Sequence, residues 1–162
     1  MNPRQPSFDE WHSAIGRYIA NFGYLDLLVQ DFLQSILSPA EFAKFRDRHF
    51  KDRVQRIKEH VPNAGYPPEK IWAIEQFFAR LDPARDLRNH IAHGLLRMGK
   101  AEDQKTMVLT LSLPRHLDGC DSEEARHLTY DELLIASTPL TDLIEEFESL
   151  FGNWTTDLET RF

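Results

Sequence analysis

Apolar residues recur every three or four positions from Trp11 through Ile15, Tyr18, Phe22, Leu25, Val29 and Phe32 to Ile36. That period predicts one long helix with a single buried stripe. Ser7 and Glu10 stand three apart just ahead of it, the pattern of a capping box that satisfies two orphan backbone N–H groups. The helix is expected to end near Leu37. Gly16 and Gly23 either weaken it locally or let another helix approach closely. Ser38, Pro39 and Glu41 repeat the start signal, with cap, first-turn proline and acid in order. A basic, amphipathic helical region follows to about Val61, and residues 62–68 read as a loop.

A second stripe, Ile71, Ile74, Phe78, Leu81, Ala84, Leu87 and Ile91, predicts a helix from about Glu69 to His93. Pro83 lies inside it. The stripe keeps its phase across the proline, which favours a kink; the alternative is a helix restarted with Asp82 as its cap. After Gly94 the period falls to two. Residues 95–98 and 106–113 predict a hairpin around the polar tip 99–105. Residues 114–124 read as loop, and 126–128 as a short third strand. Thr129 and Glu132 form another capping box. The final stripe is Leu133, Leu140, Ile144, Phe147, Phe151, Trp154 and Leu158, with Pro139 kinking or restarting its helix. The predicted fold class is all-α: a helical bundle with long N- and C-terminal helices and a small β-hairpin, about 95–113, inserted before the last helix. One domain over 1–162 is expected.

Composition narrows the setting. At 41% hydrophobic and 28% charged, the 162 residues have the makeup of a folded chain. The single cysteine excludes an intrachain disulfide and fits a reducing cytoplasm. The first residues lack the apolar core of a signal peptide, and no apolar run approaches membrane-spanning length. The net charge of −7 argues weakly against nucleic acid, yet it is unevenly spread. Residues 118–162 carry twelve Asp/Glu against two Arg. Residues 41–60 carry seven Lys/Arg against four acids, which fits a solvated helix face. Residues 80–100 carry five against two, and there the basic balance coincides with candidate chemistry.

That chemistry is the run Arg88-Asn89-His90-Ile91-Ala92-His93-Gly94. Gly94 is the expected helix stop, because glycine enters the left-handed conformation freely. His93 then occupies the last turn, where the helix dipole favours a protonated imidazole. Arg88 supplies a planar guanidinium suited to phosphate. A cation beside a proton carrier is enough to cleave a phosphodiester without metal. The Arg-x4-His spacing alone is weak and occurs twice, as Arg85/His90 and Arg88/His93. Only the second has Asn after the Arg and Gly after the His. On an ideal helix, positions five apart diverge by about 140°, so Arg88 and His93 are expected to flank a helix edge. Asn89 shares a face with His93 and can orient it or bind phosphate.

These residues admit other readings. Arg88, Asn89 and His93 can be an ion-paired, solvated helix end. Asp86, His90 and His93 can be drawn as a metal cluster, but no cysteine joins them and two arginines repel a cation, so no metal or cofactor is expected. His90 is expected on the same face as a helper or simply in solvent. Arg85 either extends the basic surface or makes a structural ion pair. The aromatic stripes read as core and not as base-stacking platforms. Cys120 is expected in a polar loop among acids that disfavour a thiolate.

The motif Arg88-Asn89-x3-His93 resembles that of the HEPN superfamily (higher eukaryotes and prokaryotes nucleotide-binding). The likeness is sharp over about residues 85–95 and extends loosely to a bundle with the motif ending a late helix. The resemblance implies a metal-independent endoribonuclease whose active site forms where two protomers face each other across a twofold axis. It implies Arg88, Asn89 and His93 as catalytic residues; Arg85 and His90, by their position beside the motif, are expected on the RNA phosphates. Cleavage by the ribose 2′-hydroxyl would leave a 2′,3′-cyclic phosphate. Toxin and phage-defence roles are common in such families, so an antitoxin or regulatory protein is an expected partner besides RNA. Other members are inactive binding or regulatory domains, which is the alternative; an unrelated helical interaction protein is a third. One subgroup carries a modified tyrosine two residues after the motif His, where this chain has Leu95.

Overall fold

Three reciprocal caps start three of the helices. In the computed structural model, which describes residues 5–93, 95–101, 106–117 and 120–152, Ser7 N and Oγ both donate to Glu10 while Glu10 N donates to Ser7 Oγ. The same exchange joins Ser38 with Glu41 and Thr129 with Glu132. The helices are α1 (Phe8–Ile36), α2 (Pro39–Phe45), α3 (Phe50–His60), α4 (Pro68–His93) and α5 (Tyr130–Phe151). A 3₁₀ turn, Val61–Asn63, follows α3. Strands β1 (Leu95–Lys100), β2 (Met107–Leu117) and β3 (Cys120–Thr129) lie between α4 and α5. The chain is mostly helical with one small antiparallel sheet, ordered β1-β2-β3.

Several expectations need correction. The basic region 41–60 is two helices, broken at residues 46–49. Neither α4 nor α5 restarts at its proline, and continuity through Pro83 is the outcome the unbroken stripe favours. Gly16 and Gly23 are exposed with nothing within 4 Å of an added Cβ, so no neighbour approaches closely there. The third strand is far longer than 126–128, and residues 114–117 and 120–124 are strand instead of loop. Pro114 pairs with Glu123 beyond Leu95↔Ser112, where β1 has ended. There β2 has lost one neighbour, and an edge position tolerates proline. Cys120 therefore opens β3. The helix stop at Gly94 and the stripe positions Trp154 and Leu158 lie outside the described residues. A glycine stop does operate at Gly152, whose φ of 90° follows the last turn of α5.

The chain folds as two compact units, and the divisions fall beside Gly23, Pro83 and Pro139. One unit comprises Gly23–Asp82 and Thr141–Phe162. Its core is a phenylalanine cluster. Phe147 contacts Phe32, Phe77 and Phe151, with ring centroids 6.3, 5.6 and 4.5 Å away. Arg53 is 6% exposed, not a solvated charge: it bonds Asp26 at 2.5 Å and Gln30 at 2.9 Å.

The other unit comprises Met1–Phe22 and Pro83–Leu140. Trp11, Tyr18, Phe22, Leu87, Leu109, Leu111 and Leu133 are buried in it. Trp11 meets Tyr130 edge-on at 5.3 Å. Side chains alternate across a strand, so paired residues share a face. Met98–Leu109–Leu128 and Leu96–Leu111–Arg126 are rows of the apolar face. Arg97–Thr110–His127 is a row of the opposite face.

Two outcomes test this packing. Phe147→Ala should cost about 3–5 kcal/mol in chemical unfolding, the range for a fully buried aromatic; Trp72→Ala, at a 64% exposed residue, should be near neutral. Thr129→Ala should cost about 1 kcal/mol by removing a helix cap. Hydrogen bonds from Thr129 hold the Glu132 carboxyl below its ordinary range. A depressed folded-state value gives stability that is present above the unfolded Glu value and lost as pH falls. The stability gap between parent and Glu132→Gln should therefore close below about pH 4.3.

Candidate functional site

Arg88, Asn89 and His93 lie at the C-terminal end of α4, in the unit that carries the sheet. Arg88 and Asn89 are half-buried and His93 is exposed. The ideal-helix divergence between Arg88 and His93 does not keep them apart. The arginine side chain is long enough to swing along the helix, and its Nη1 lies 3.4 Å from His93 Nε2. The same Nη1 donates to Asn89 Oδ1 at 3.2 Å. The amide thus holds the guanidinium and not, as the shared face suggests, the imidazole.

Two residues of α1 prepare this end of α4. The Phe22 ring lies beneath the Arg88 guanidinium, 5.8 Å from centroid to Cζ, within cation–π range. One turn earlier the Tyr18 hydroxyl donates to the Ala84 carbonyl at 2.9 Å. Ala84 in turn lies one helical turn before Arg88. Burial pushes the Tyr18 hydroxyl well above the ordinary tyrosine range, partly offset by Arg126. The group remains a donor at any working pH. Sequence reasoning placed Tyr18 and Phe22 in the core but missed their tie to the motif. A contact across 66 residues leaves no periodic signal.

The arginine is a donor only, so a bond to His93 Nε2 needs a lone pair there. A bond of this kind places the ring proton on Nδ1 and the Nε2 lone pair under the guanidinium, where it is open to another proton only once Arg88 turns away. Cation, hydrogen-bonding amide and proton acceptor sit within one side chain's reach.

His90 is placed differently from the expectation, and Arg85 takes one of the two places expected of it. His90 is 7% exposed, and its Nδ1 donates to the Asp86 carbonyl at 2.8 Å. Its Nε2 is buried without a hydrogen-bond partner among the described residues. Neither a phosphate contact nor a solvent-exposed helper fits that position: at residue 90 the helix turns inward, beside buried Leu87 and Ile91. Arg85 pairs with Asp86 at 3.1 Å, the structural ion pair. The two residues that would complete a metal cluster with His93 are thus engaged elsewhere. Among the described residues no group of three or more His, Cys, Asp or Glu converges. No described helix is long and apolar enough to cross a membrane.

Comparison with protein-family models, curated proteins and solved structures finds no match. The reading of the site therefore rests on its own geometry.

That geometry has a spectroscopic consequence. In ¹⁵N-labelled protein above the histidine titration, long-range ¹H–¹⁵N spectra should show His93 mainly as the Nδ1–H tautomer. Arg88→Ala should move it toward Nε2–H. An Nε2–H tautomer in the parent would contradict the Arg88–His93 bond.

Proposed function

We propose that this protein is a metal-independent endoribonuclease of the HEPN type, acting as a homodimer. The observation that carries this reading is the approach of the Arg88 guanidinium to 3.4 Å from an exposed histidine Nε2. A guanidinium recognises a phosphodiester by paired hydrogen bonds. An imidazole with a free lone pair removes a hydroxyl proton, a step typically worth about 10²–10⁴-fold.

In the ligand-free protein the guanidinium spends a donor on His93. A phosphate competes for that donor and wins by charge. Arg88 turns onto the phosphate, steadied by Phe22 below and Asn89 beside it, and His93 Nε2 is released. The imidazole then takes the proton of the ribose 2′-hydroxyl. The 2′-oxygen bonds to phosphorus, the P–O5′ bond breaks, and the departing 5′-oxygen takes a proton. Arg88 offsets the negative charge gathering on the phosphoryl oxygens. The products are a 2′,3′-cyclic phosphate and a 5′-hydroxyl. One imidazole cannot act as base and acid on opposite sides of one phosphorus in the same instant. A twofold dimer supplies the second His93 for the leaving group. The site's own chemistry is a cation and an imidazole. A metal would have to bind beside a fixed guanidinium, so the substrate's charge is answered by arginine.

Purified protein incubated with single-stranded RNA in excess EDTA should cleave it and leave cyclic phosphate ends. Arg88→Ala and His93→Ala should each lose about 10²-fold or more, on the scale of a lost general base or transition-state contact. RNA that stays intact with the parent, yet is bound in a gel-shift assay that Arg88→Ala abolishes, would replace catalysis with the binding-only alternative.

A further inference from the structure

The sheet carries a second grouping of a guanidinium, a neutral hydrogen-bonding group and an imidazole. Arg97 on β1, Thr110 on β2 and His127 on β3 are register partners, so they form one row across all three strands. Thr110 Oγ1 lies 3.0 Å from His127 Nδ1. Arg97 and His127 are exposed and Thr110 is half-buried. The row belongs to the face opposite Leu109, Leu111 and Leu128, which are at most 5% exposed.

Charge separates this row from the rest of the molecule. The chain carries a net charge of −7. Yet the described side chains on this face, Arg97, Val108, Thr110, Ser112, Ala125, His127 and Thr129, include no carboxylate. By register Glu123 and Asp121 fall on the same face, four and six residues along β3 from His127 and outside the row itself, so the exposed guanidinium has no acid as a row partner and is poised for an anion brought from outside. Neighbouring strands stand about 5 Å apart, so the three side chains project side by side over about 10 Å, room for a phosphate and its sugar. The hydroxyl and the imidazole offer directional hydrogen bonds that an isolated surface lysine would lack.

Position ties the row to the motif. Arg97 follows His93 by four residues, so the two lie at most about 14 Å of extended chain apart. A few nucleotides of single strand cover that distance. The geometry points to Arg97, Thr110 and His127 as a second phosphate-binding subsite, which holds the same RNA strand a short way from the phosphate at Arg88 and His93. This inference rests on the ribonuclease reading of the motif. It adds substrate positioning: the row gives affinity for longer strands and takes no part in bond cleavage. Single-strand binders combine such cationic tracks with few base-specific contacts.

The test uses the full chain and a fluorescent 2′-O-methyl RNA about 12 nucleotides long, within the usual span of single-strand sites and inert to 2′-hydroxyl attack. Anisotropy titrations at several salt concentrations compare the parent, Arg97→Gln/His127→Gln and Arg88→Ala. Both altered positions of the double variant are exposed, and an unchanged thermal midpoint confirms that it folds. The double variant should bind about tenfold more weakly, the scale of one charge-assisted hydrogen bond. Its salt slope should fall by about 0.7 for a lost phosphate contact. Cleavage of an unmodified dinucleotide, too short to reach the row, should match the parent. Equal affinity and equal salt slope in parent and double variant would overturn the subsite. Binding lost in the double variant but intact in Arg88→Ala, with no cleavage by the parent, would keep the subsite and remove the motif's catalytic role. A parent that binds no RNA would overturn both.

Discussion

A buried tyrosine hydroxyl must find an acceptor, and Tyr18 finds one on a helix far away in sequence. The side chain is fully buried, and its hydroxyl donates to the Ala84 carbonyl. An unmet hydroxyl there would cost about 1–3 kcal/mol. That single bond sets the register of the first half of α1 against the second half of α4. Once it is made, the next turns follow: Phe22 comes beneath Arg88. The candidate chemistry of α4 thus depends on a residue far from it in sequence.

The register matters because arginine is costly to hold still. A free side chain of this kind carries about 2 kcal/mol of rotamer entropy. Here the Phe22 face, the Asn89 amide oxygen and His93 Nε2 each restrain it. Much of the ordering is complete before any substrate arrives, which is what positioned catalytic groups need. The Arg88–His93 bond also ties the two roles together. In the proposed mechanism, an anion that draws the guanidinium away frees the Nε2 lone pair that the bond occupies. The neighbours Arg85 and His90 share the sequence run but not this role. One is paired to Asp86, and the other is turned into the core.

The helices were largely legible in the sequence, because the signals that start them are local. Three capping boxes lie where Ser or Thr precedes Glu by three residues, and each is formed. Stripes of period three to four marked most of the buried positions of α1, α4 and α5. What failed to show is what depends on distant partners. Arg53 reads as one more surface cation until Asp26 and Gln30 of α1 are seen to hold it. The β2–β3 pair reads as loop from Pro114 to Glu124, since a proline and a run of acids are poor strand formers alone; pairing with each other makes them a strand. At the motif, residue types and spacing were readable. The 3.4 Å approach of Arg88 to His93 was hidden, because backbone angle says little about where a long flexible side chain ends.

The central claim is that Arg88 and His93 act as one unit on one phosphate. A double-mutant cycle on RNA cleavage tests it most directly, using Arg88→Ala, His93→Ala and the combination under single-turnover conditions. Groups that serve a single transition state are strongly non-additive, so the double variant should be little slower than the slower single variant. Rate losses that multiply would mean that the two side chains work independently. That result, or a parent without cleavage to measure, would contradict the account.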